Sequence, residues 1–251
     1  MKTCIVIPFY NHAGAIEHVL GALKPLGLHC LIVDDGSDAE AQELLSKIAM
    51  RENWVKIVRL SRNGGKGAAV MAGCDSALAE GFTHAMQIDA DGQHDAADAV
   101  RLLELAAQHP EAVIAGVAVY DSTVPRSRRY GRYLTHALVW LQTLSLEIRD
   151  TMCGFRVYPL AVTCEVWRRQ RVGRRMDFDI EIIVRLYWSG VRIIAFPTHV
   201  TYPRDGVSHF NLLKDNILIT ALHVRLLFGM LWRLPALLFR RLRQRAPGAV
   251  A

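Results

Sequence analysis

The chain has 251 residues, 51% hydrophobic and 22% charged, which is enough to bury one α/β-sized core and too little for two independent domains. Its five cysteines, Cys4, Cys30, Cys74, Cys153 and Cys164, are odd in number and scattered without a CxxC pair, which argues against a disulfide scaffold and for a reduced, cytosolic setting. The net charge of +6 resides in residues 211–245, where seven Lys/Arg stand against the single acid Asp215; the remainder is neutral overall. Met1-Lys2-Thr3-Cys4 runs into an apolar strand with no long apolar stretch or small-residue cleavage site, so no secretory signal is expected.

In chain order, short β-rich runs alternate with helix-period stretches. The pattern predicts strands at Cys4–Pro8, Cys30–Val33, Val55–Leu60, Thr83–Ile88 and Val113–Val117, with helices near Gly14–Leu23, Ala39–Met50, Gly67–Ala79 and Ala96–Gln108 between them. Such alternation predicts an α/β fold with a mostly parallel sheet covered by helices on both faces. After about residue 118 it weakens. An arginine-rich stretch (Arg126, Arg128, Arg129, Arg132) leads into an apolar helix near Tyr133–Leu146, followed by Asp150–Tyr158, a helix near Asp179–Trp188, a strand near Val191–Phe196 and a loop at Tyr202–Phe210. The expected organisation is one unit over 1–210, with a donor half at about 1–117 and an acceptor half at about 118–210, then a basic, amphipathic segment at 211–251.

Ligands of such sheets bind outside the carboxyl ends of the strands, so the loops after strands are where chemistry is sought. Asp89-Ala90-Asp91-Gly92 follows a strand, and two carboxylates at i and i+2 can converge on a hard divalent cation, with Gln93 or water as further oxygen ligands. A solvated acidic turn gives the same short pattern. Asp34-Asp35-Gly36-Ser37-Asp38 offers carboxylates for a nucleobase or ribose, and Ser37 or Asp38 suits a helix N-cap. Asn63-Gly64-Gly65-Lys66-Gly67 precedes a helix, so backbone N–H groups and one cation could meet phosphate. Neither a Walker A sequence nor a GxGxxG is present, which removes the best support for ATPase and dinucleotide readings.

Taken together these segments resemble family 2 glycosyltransferases of the GT-A fold, Rossmann-like transferases of nucleotide-diphosphate sugars, and in particular the dolichol-phosphate mannose synthase-like branch. The resemblance covers about residues 4–210 and rests on Ile7-Pro8-Phe9-Tyr10-Asn11, Val33 to Asp38, Asn63 to Ala68, Asp89 to His94 and Asp150-Thr151-Met152-Cys153-Gly154-Phe155-Arg156-Val157-Tyr158, in that order. It implies that Pro8, Tyr10 and Asn11 line the nucleotide site and that Asp34 or Asp35 contacts the base. It puts Lys66 near the donor, Asp89, Asp91 and Gln93 at a Mg²⁺ or Mn²⁺ ion and the diphosphate, and Arg156 near the acceptor phosphate. Arg204, in Arg204-Asp205-Gly206-Val207-Ser208-His209, resembles a donor-closing loop in which His209 stands where lysine is usual.

With Arg126 and Arg129, Arg156 suits a phosphate-bearing acceptor, because guanidinium binds phosphate in a bidentate fork. An anionic lipid phosphate needs no catalytic base. A hydroxyl acceptor would need one, and Asp177 is the first choice, since Asp179 and Glu181 are expected to face away on a helix. In residues 211–245 Lys214, Asp215, His223, Arg225 and Arg233 interrupt a Leu-, Ile-, Phe- and Trp-rich sequence, and no uncharged run approaches the roughly 20 residues that span a bilayer. One or two interfacial helices broken near Pro235, with Trp232 at the boundary and the Arg240–Arg245 cluster on anionic head groups, are expected; packing against the protein's own core is the alternative.

The reading is an inverting, metal-dependent hexosyltransferase at the cytoplasmic face of the cell membrane. It moves a sugar from a UDP- or GDP-linked donor to a lipid acceptor, first of all polyprenyl phosphate. A lipid or acyl-chain hydroxyl is the alternative acceptor, and a non-catalytic sugar-nucleotide sensor is the alternative of another class. Nucleic acid is not expected as a partner, because the basic segment is interleaved with large apolar residues.

Overall fold

The computed structural model describes residues 1–95, 97–120, 126–200 and 212–245, with the side chains of 120, 126–130, 212 and 241–245 left aside. Arg204, His209 and the 202–210 loop lie outside the described residues, as do the side chains of Arg126 and Arg129.

The elements follow as β1 (Thr3–Phe9), α1 (Ala13–Leu23), β2 (His29–Asp34), α2 (Ala39–Arg51), β3 (Val55–Arg59), α3 (Lys66–Ala79), β4 (His84–Gln87), α4 (Ala97–Gln108) and β5 (Val113–Tyr120). Then come α5 (Arg126–Thr143), β6 (Arg156–Pro159), α6 (Leu160–Arg169), α7 (Phe178–Trp188), β7 (Ile193–Val200) and α8 (Leu212–Arg245). The sheet runs β3-β2-β1-β4-β6-β5-β7 and is parallel except for β6, which is antiparallel to both neighbours. The expected donor and acceptor halves are interleaved, because β6 from the second half lies between β4 and β5 of the first.

Alternation along the strands builds two cores. On β1, Cys4 and Val6 point to one face and Ile5, Ile7 and Phe9 to the other; on β2, Leu31 and Val33 oppose Cys30 and Ile32. The second face is covered by α1, α2 and α4 through Ile16, Leu20, Leu45, Ile48 and Leu102. The first is covered by α3, α6 and α7, and α8 adds Leu222, Leu226, Met230 and Leu237 to the same cluster. The chain turns from β1 to β2 and β3 on one side and returns to β4 on the other, so a crevice opens at the carboxyl ends of β1 and β4.

Three sequence expectations change. The arginine-rich stretch is the first turns of α5 rather than a lead into it, and α6 is an element that the weakened alternation hid. The C-terminal segment does not break at Pro235: α8 is one helix with Pro235 inside it. A proline there removes one backbone bond and costs about 3 kcal/mol, which the burial of Leu222, Leu226, Met230 and Leu237 along one side outweighs. Over Leu213–Arg240 the helix is long and apolar enough to cross a membrane by length and composition, with a mean hydropathy of 1.6 in its apolar window, although no uncharged run in the sequence has that length.

Candidate active site

The carboxyl ends of β1, β2 and β3 are tied into one surface by side chains from their loops. Asn11, at φ 53°, receives a hydrogen bond on Oδ1 from the Asp38 N–H at 3.0 Å and donates its own N–H to Ser37 Oγ at 3.2 Å. Asn tolerates this left-handed conformation better than most residues. Asp34, fully buried, accepts from the Ser37 N–H at 2.9 Å on Oδ1, while its Oδ2 is buried without a donor among the described residues. Asp35 accepts from the Gly64 and Gly65 N–H groups at 2.7 and 2.8 Å, so both its oxygens orient the glycine-rich loop. Burial raises the Asp35 pKa, and these bonds offset only part of that. Gly65 sits at φ 96°, a conformation that a side chain would strain, and it hands the chain to α3, whose first residue is Lys66. Pro8 and Tyr10 are half-buried at the same rim. Asp38, not Ser37, caps α2, through the Ala41 N–H at 2.9 Å.

Lys66 Nζ lies 2.8 Å from Asp89 Oδ2 and 2.8 Å from Asp179 Oδ2, joining α3, the loop after β4 and α7. Burial alone would lower its pKa, but the two carboxylates outweigh it and hold the ammonium charged. Asp89 is half of the predicted pair; burial works against its charge, and Lys66 and His94 pull its pKa down in net. At Asp91 burial and the charge of Asp89 outweigh the Gln93 N–H, which its Oδ1 accepts at 3.1 Å, and the pull of His94 and Lys66, so its pKa is raised in net. Gln93 therefore meets Asp91 through its backbone. Asp89 Oδ1 is buried with no donor on it among the described residues. A Cβ on Gly154 would stand 2.7 Å from both Asp89 oxygens and from Lys66 Nζ, so only glycine lets the Cys153–Phe155 backbone close over this pair.

A cleft of about 300 Å³ opens beside these aspartates, lined by Ile88, Asp89, Gly92, Gln93, His94 and His199 among others. His94 stacks on Phe155 at 5.1 Å, and its Nδ1 is buried without a partner among the described residues.

Arg156 does not reach the acceptor side as expected. It is fully buried: Nη1 donates to the Asp179 carbonyl at 2.8 Å and Nη2 to the Thr151 carbonyl at 2.8 Å. A guanidinium with no exposed surface cannot touch a lipid phosphate; it braces the Asp150–Phe155 turn against the start of α7. Tyr158 and Gln87 extend the brace, because Tyr158 OH donates to Gln87 Oε1 and Gln87 Nε2 donates to Asp179 Oδ1, each at 3.3 Å.

Asp179 and Glu181 do not face away from the protein. Both are buried, Asp179 on Lys66 and Glu181 on Arg185 and Arg225. Asp177 accepts from the Arg175 N–H at 3.1 Å, and burial raises its pKa. The structure thus brings Asp89, Asp91, Lys66 and Asp179 together, and Asp177 makes no contact with that group. The missed signal was acids at 179 and 181 inside the apolar run Phe178–Trp188, where each needs a buried cation.

Asp150 organises the acceptor-side turn. Its oxygens accept from the N–H groups of Met152, Cys153 and Ala118 at 2.8, 3.1 and 3.1 Å and pair with Arg132 of α5, while His136 Nε2 lies 3.8 Å away. Burial opposes this charge, but His136, Arg132 and the backbone donors hold its pKa well below the usual carboxylate range. Arg132 is the central-stretch arginine whose side chain is described here.

The family model described as glycosyl transferase family 2 matches residues 4–170. The chain is 25% identical over 221 residues to a polyprenol monophosphomannose synthase of Mycolicibacterium smegmatis, covering 82% of this chain and 80% of that one. It is 25% identical over 202 residues to an undecaprenyl-phosphate mannosyltransferase of Micrococcus luteus, covering 78% and 82%. Among solved structures, glucosyl-3-phosphoglycerate synthase of Mycobacterium tuberculosis, crystallised with Mn²⁺, UDP-glucose and phosphoglyceric acid, superposes with a TM-score of 0.64 at 15% identity over 91% of this chain and 79% of that one, a likeness of GT-A fold. The chain belongs to glycosyl transferase family 2, in its dolichol-phosphate mannose synthase-like branch.

Proposed function

We propose that this glycosyltransferase moves a sugar, with inversion, from a nucleotide-diphosphate donor to a lipid phosphate at a membrane surface. The observation that carries the reading is the cluster of Asp89, Asp91, Lys66 and Asp179 at the carboxyl end of β4, with the Asp35-ordered glycine loop beside it. Asp89 Oδ1, buried without a donor among the described residues, and Asp91, whose pKa burial and Asp89 raise, fit a divalent cation, Mg²⁺ or Mn²⁺. Bound there, such an ion would neutralise charge on the donor diphosphate. Lys66 adds a fixed positive charge for the leaving diphosphate. Pro8, Tyr10 and Asn11 form the rim against which the nucleoside rests, with Asp34 beneath them. Arg204, by resemblance, closes over the donor.

For the acceptor, Arg126, Arg129 and Arg132 lie on the first turns of α5, beside the Asp150 turn. Their charge suits a phosphate whose oxygen is already a nucleophile, so no side chain has to take its proton. The names of the relatives above, built on polyprenol and undecaprenyl phosphate, support this acceptor class.

The membrane contact is α8 together with α5. Leu213, Ile217, Val224, Phe228, Leu231, Trp232 and Phe239 on α8 and Tyr133, Leu134, Leu141 and Leu146 on α5 and just beyond it are exposed. Leu222, Leu226, Met230 and Leu237, spread over about 22 Å of helix at 1.5 Å per residue, are buried against the domain. A helix held along that length lies with its domain on the surface, here taken as the cytoplasmic face, rather than threading the bilayer alone.

The test is release of nucleoside diphosphate from a panel of UDP- and GDP-sugars, with Mn²⁺ or EDTA and with or without polyprenyl phosphate in detergent. Metal-dependent release stimulated by the lipid phosphate is expected, and Asp91→Ala should lower it by about two orders of magnitude or more with the fold intact. Wild-type turnover by Asp91→Ala would contradict the assignment.

A further inference from the structure

Helix α8 reaches the donor side of the molecule through one buried carboxylate. Glu181 of α7 is fully buried, and donors from three separate parts of the chain converge on it. Arg185, one turn on, donates to Oε1 from Nε at 2.8 Å and from Nη2 at 2.6 Å. Oε2 receives the Gly173 N–H at 2.8 Å and, from α8, Arg225 Nη2 at 2.6 Å. The residue after Gly173 continues the path, since the Arg174 carbonyl accepts the Ala68 N–H at 3.0 Å. Ala68 stands in the first turn of α3, two residues past Lys66. Three hydrogen bonds thus link the helix with the large exposed apolar face to the turn that carries the donor-site lysine.

The arrangement is more than a fastening of α8. Arg233 over Trp188 at 4.8 Å, and Arg240 over Tyr187 at 4.0 Å with its Nη1 on the Tyr187 carbonyl, already fasten the helix farther along. Arg225 alone of these arginines acts on the oxygen that holds Gly173. Arg225 spans the carboxylate, with Nη2 on Oε2 at 2.6 Å and the longer Nε contact on Oε1 at 3.4 Å; without it Arg185, bound to Oε1 alone, is the cation left on Glu181 among the described residues, and the Oε2 that accepts the Gly173 N–H loses the charged donor that holds it in place. Hydrogen bonds with ionised partners are roughly twice as strong as neutral ones, so the loss falls on the segment that orders α3.

We propose that Arg225 is a positioning residue for donor binding: by holding Glu181 Oε2 against the Gly173 N–H, it fixes the 173–178 segment and through it the turn bearing Lys66. The proposal rests on the reading of that turn as part of the donor site, and its test separates the two.

The experiment compares wild type, Arg225→Met and Arg225→Lys as full chains in detergent. It measures nucleotide-sugar affinity by calorimetry, the donor KM and kcat with polyprenyl phosphate, and amide exchange. Half of the Arg225 side chain is exposed, and Glu181 keeps Arg185, so the variants are expected to fold. Arg225→Met should raise donor Kd and KM about five- to tenfold with kcat changed less than about twofold, and should speed exchange at Gly173 and Ala68. Arg225→Lys, which keeps the charge, should recover most of the affinity. Wild-type donor affinity and exchange in Arg225→Met would overturn the proposal, as would a fall in kcat at unchanged donor KM. If Arg225→Met does not fold, the neutral Arg225→Gln decides: a raised donor Kd supports the role, and an unchanged one overturns it. If wild type binds no nucleotide sugar, the functional reading fails first; if it binds and the variants match it, the role of Arg225 alone is lost.

Discussion

Gly154 and Asp150 show how single positions shape the site from opposite directions, one by having no side chain and one by saturating its own. A methyl group on Gly154 would meet both Asp89 oxygens and Lys66 Nζ at 2.7 Å, so Gly154→Ala must push apart the pair on which the donor site is built. Steady-state kinetics should show a loss of about tenfold or more in turnover while the thermal midpoint moves by only a few degrees, about 2–4 °C per kcal/mol in a chain of this size. Unaltered turnover would contradict the close approach. Asp150 is held charged in the fold by His136, Arg132 and three backbone donors. Its folded pKa lies below the unfolded value near 4, so its contribution to stability is present above that value and is lost as the pH falls toward the folded pKa. Asp150→Asn should cost about 3 kcal/mol at pH 7, because Arg132 keeps a largely buried charge without its partner. In denaturant titrations the gap between variant and wild type should narrow as the pH drops below about 4; a gap independent of pH would count against the ion pair as its cause.

At the scale of elements, α8 carries two faces with different partners. Its buried side is fastened by Leu222, Leu226, Met230 and Leu237 and by Arg225, Arg233 and Arg240, which turn toward α7. Arg240 thus sits on Tyr187, although the sequence pattern suggested a role on lipid head groups. The other side presents Phe228 at 67% and Trp232 at 86% exposure. Replacing both with Ser should weaken sedimentation with anionic vesicles about tenfold or more, since each buried aromatic contributes on the order of 2 kcal/mol. The globular fold and donor binding in detergent should stay as they are, and vesicle binding equal to wild type would remove α8 as the membrane contact. Pro235 made this segment read as one or two helices broken there, and the charges at Arg225 and Arg233 left no uncharged run long enough to span a bilayer; Arg225 pairs with Glu181 and Arg233 lies over Trp188, so their charge is no bar to one continuous helix.

For the whole molecule, the parallel alternation of β1 to β5 was legible because each strand is short, apolar and followed by a polar loop, and it placed Asp89, Asp91 and Lys66 on one rim. What could not be read was whatever depends on partners far apart in the chain. Arg156 suited a phosphate by residue type, yet the fold surrounds it with the Thr151 and Asp179 carbonyls. Asp179 was set aside in favour of Asp177 as facing away on a helix, and the Lys66 that draws it into the site lies 113 positions earlier. The antiparallel insertion of β6 was hidden for the same reason, since its pairing joins segments from both halves. The central claim concerns the product: sugar joined to a lipid phosphate through the cluster of Asp89, Asp91, Lys66 and Asp179. The most direct measurement is mass spectrometry of the organic-phase lipid after incubating the chain with nucleotide sugar, Mn²⁺ and polyprenyl phosphate, beside Asp91→Ala. The account predicts a new species of polyprenyl phosphate plus one sugar residue, made by wild type and absent with the variant; nucleoside diphosphate released with only free sugar, or sugar found on a lipid hydroxyl, would contradict it.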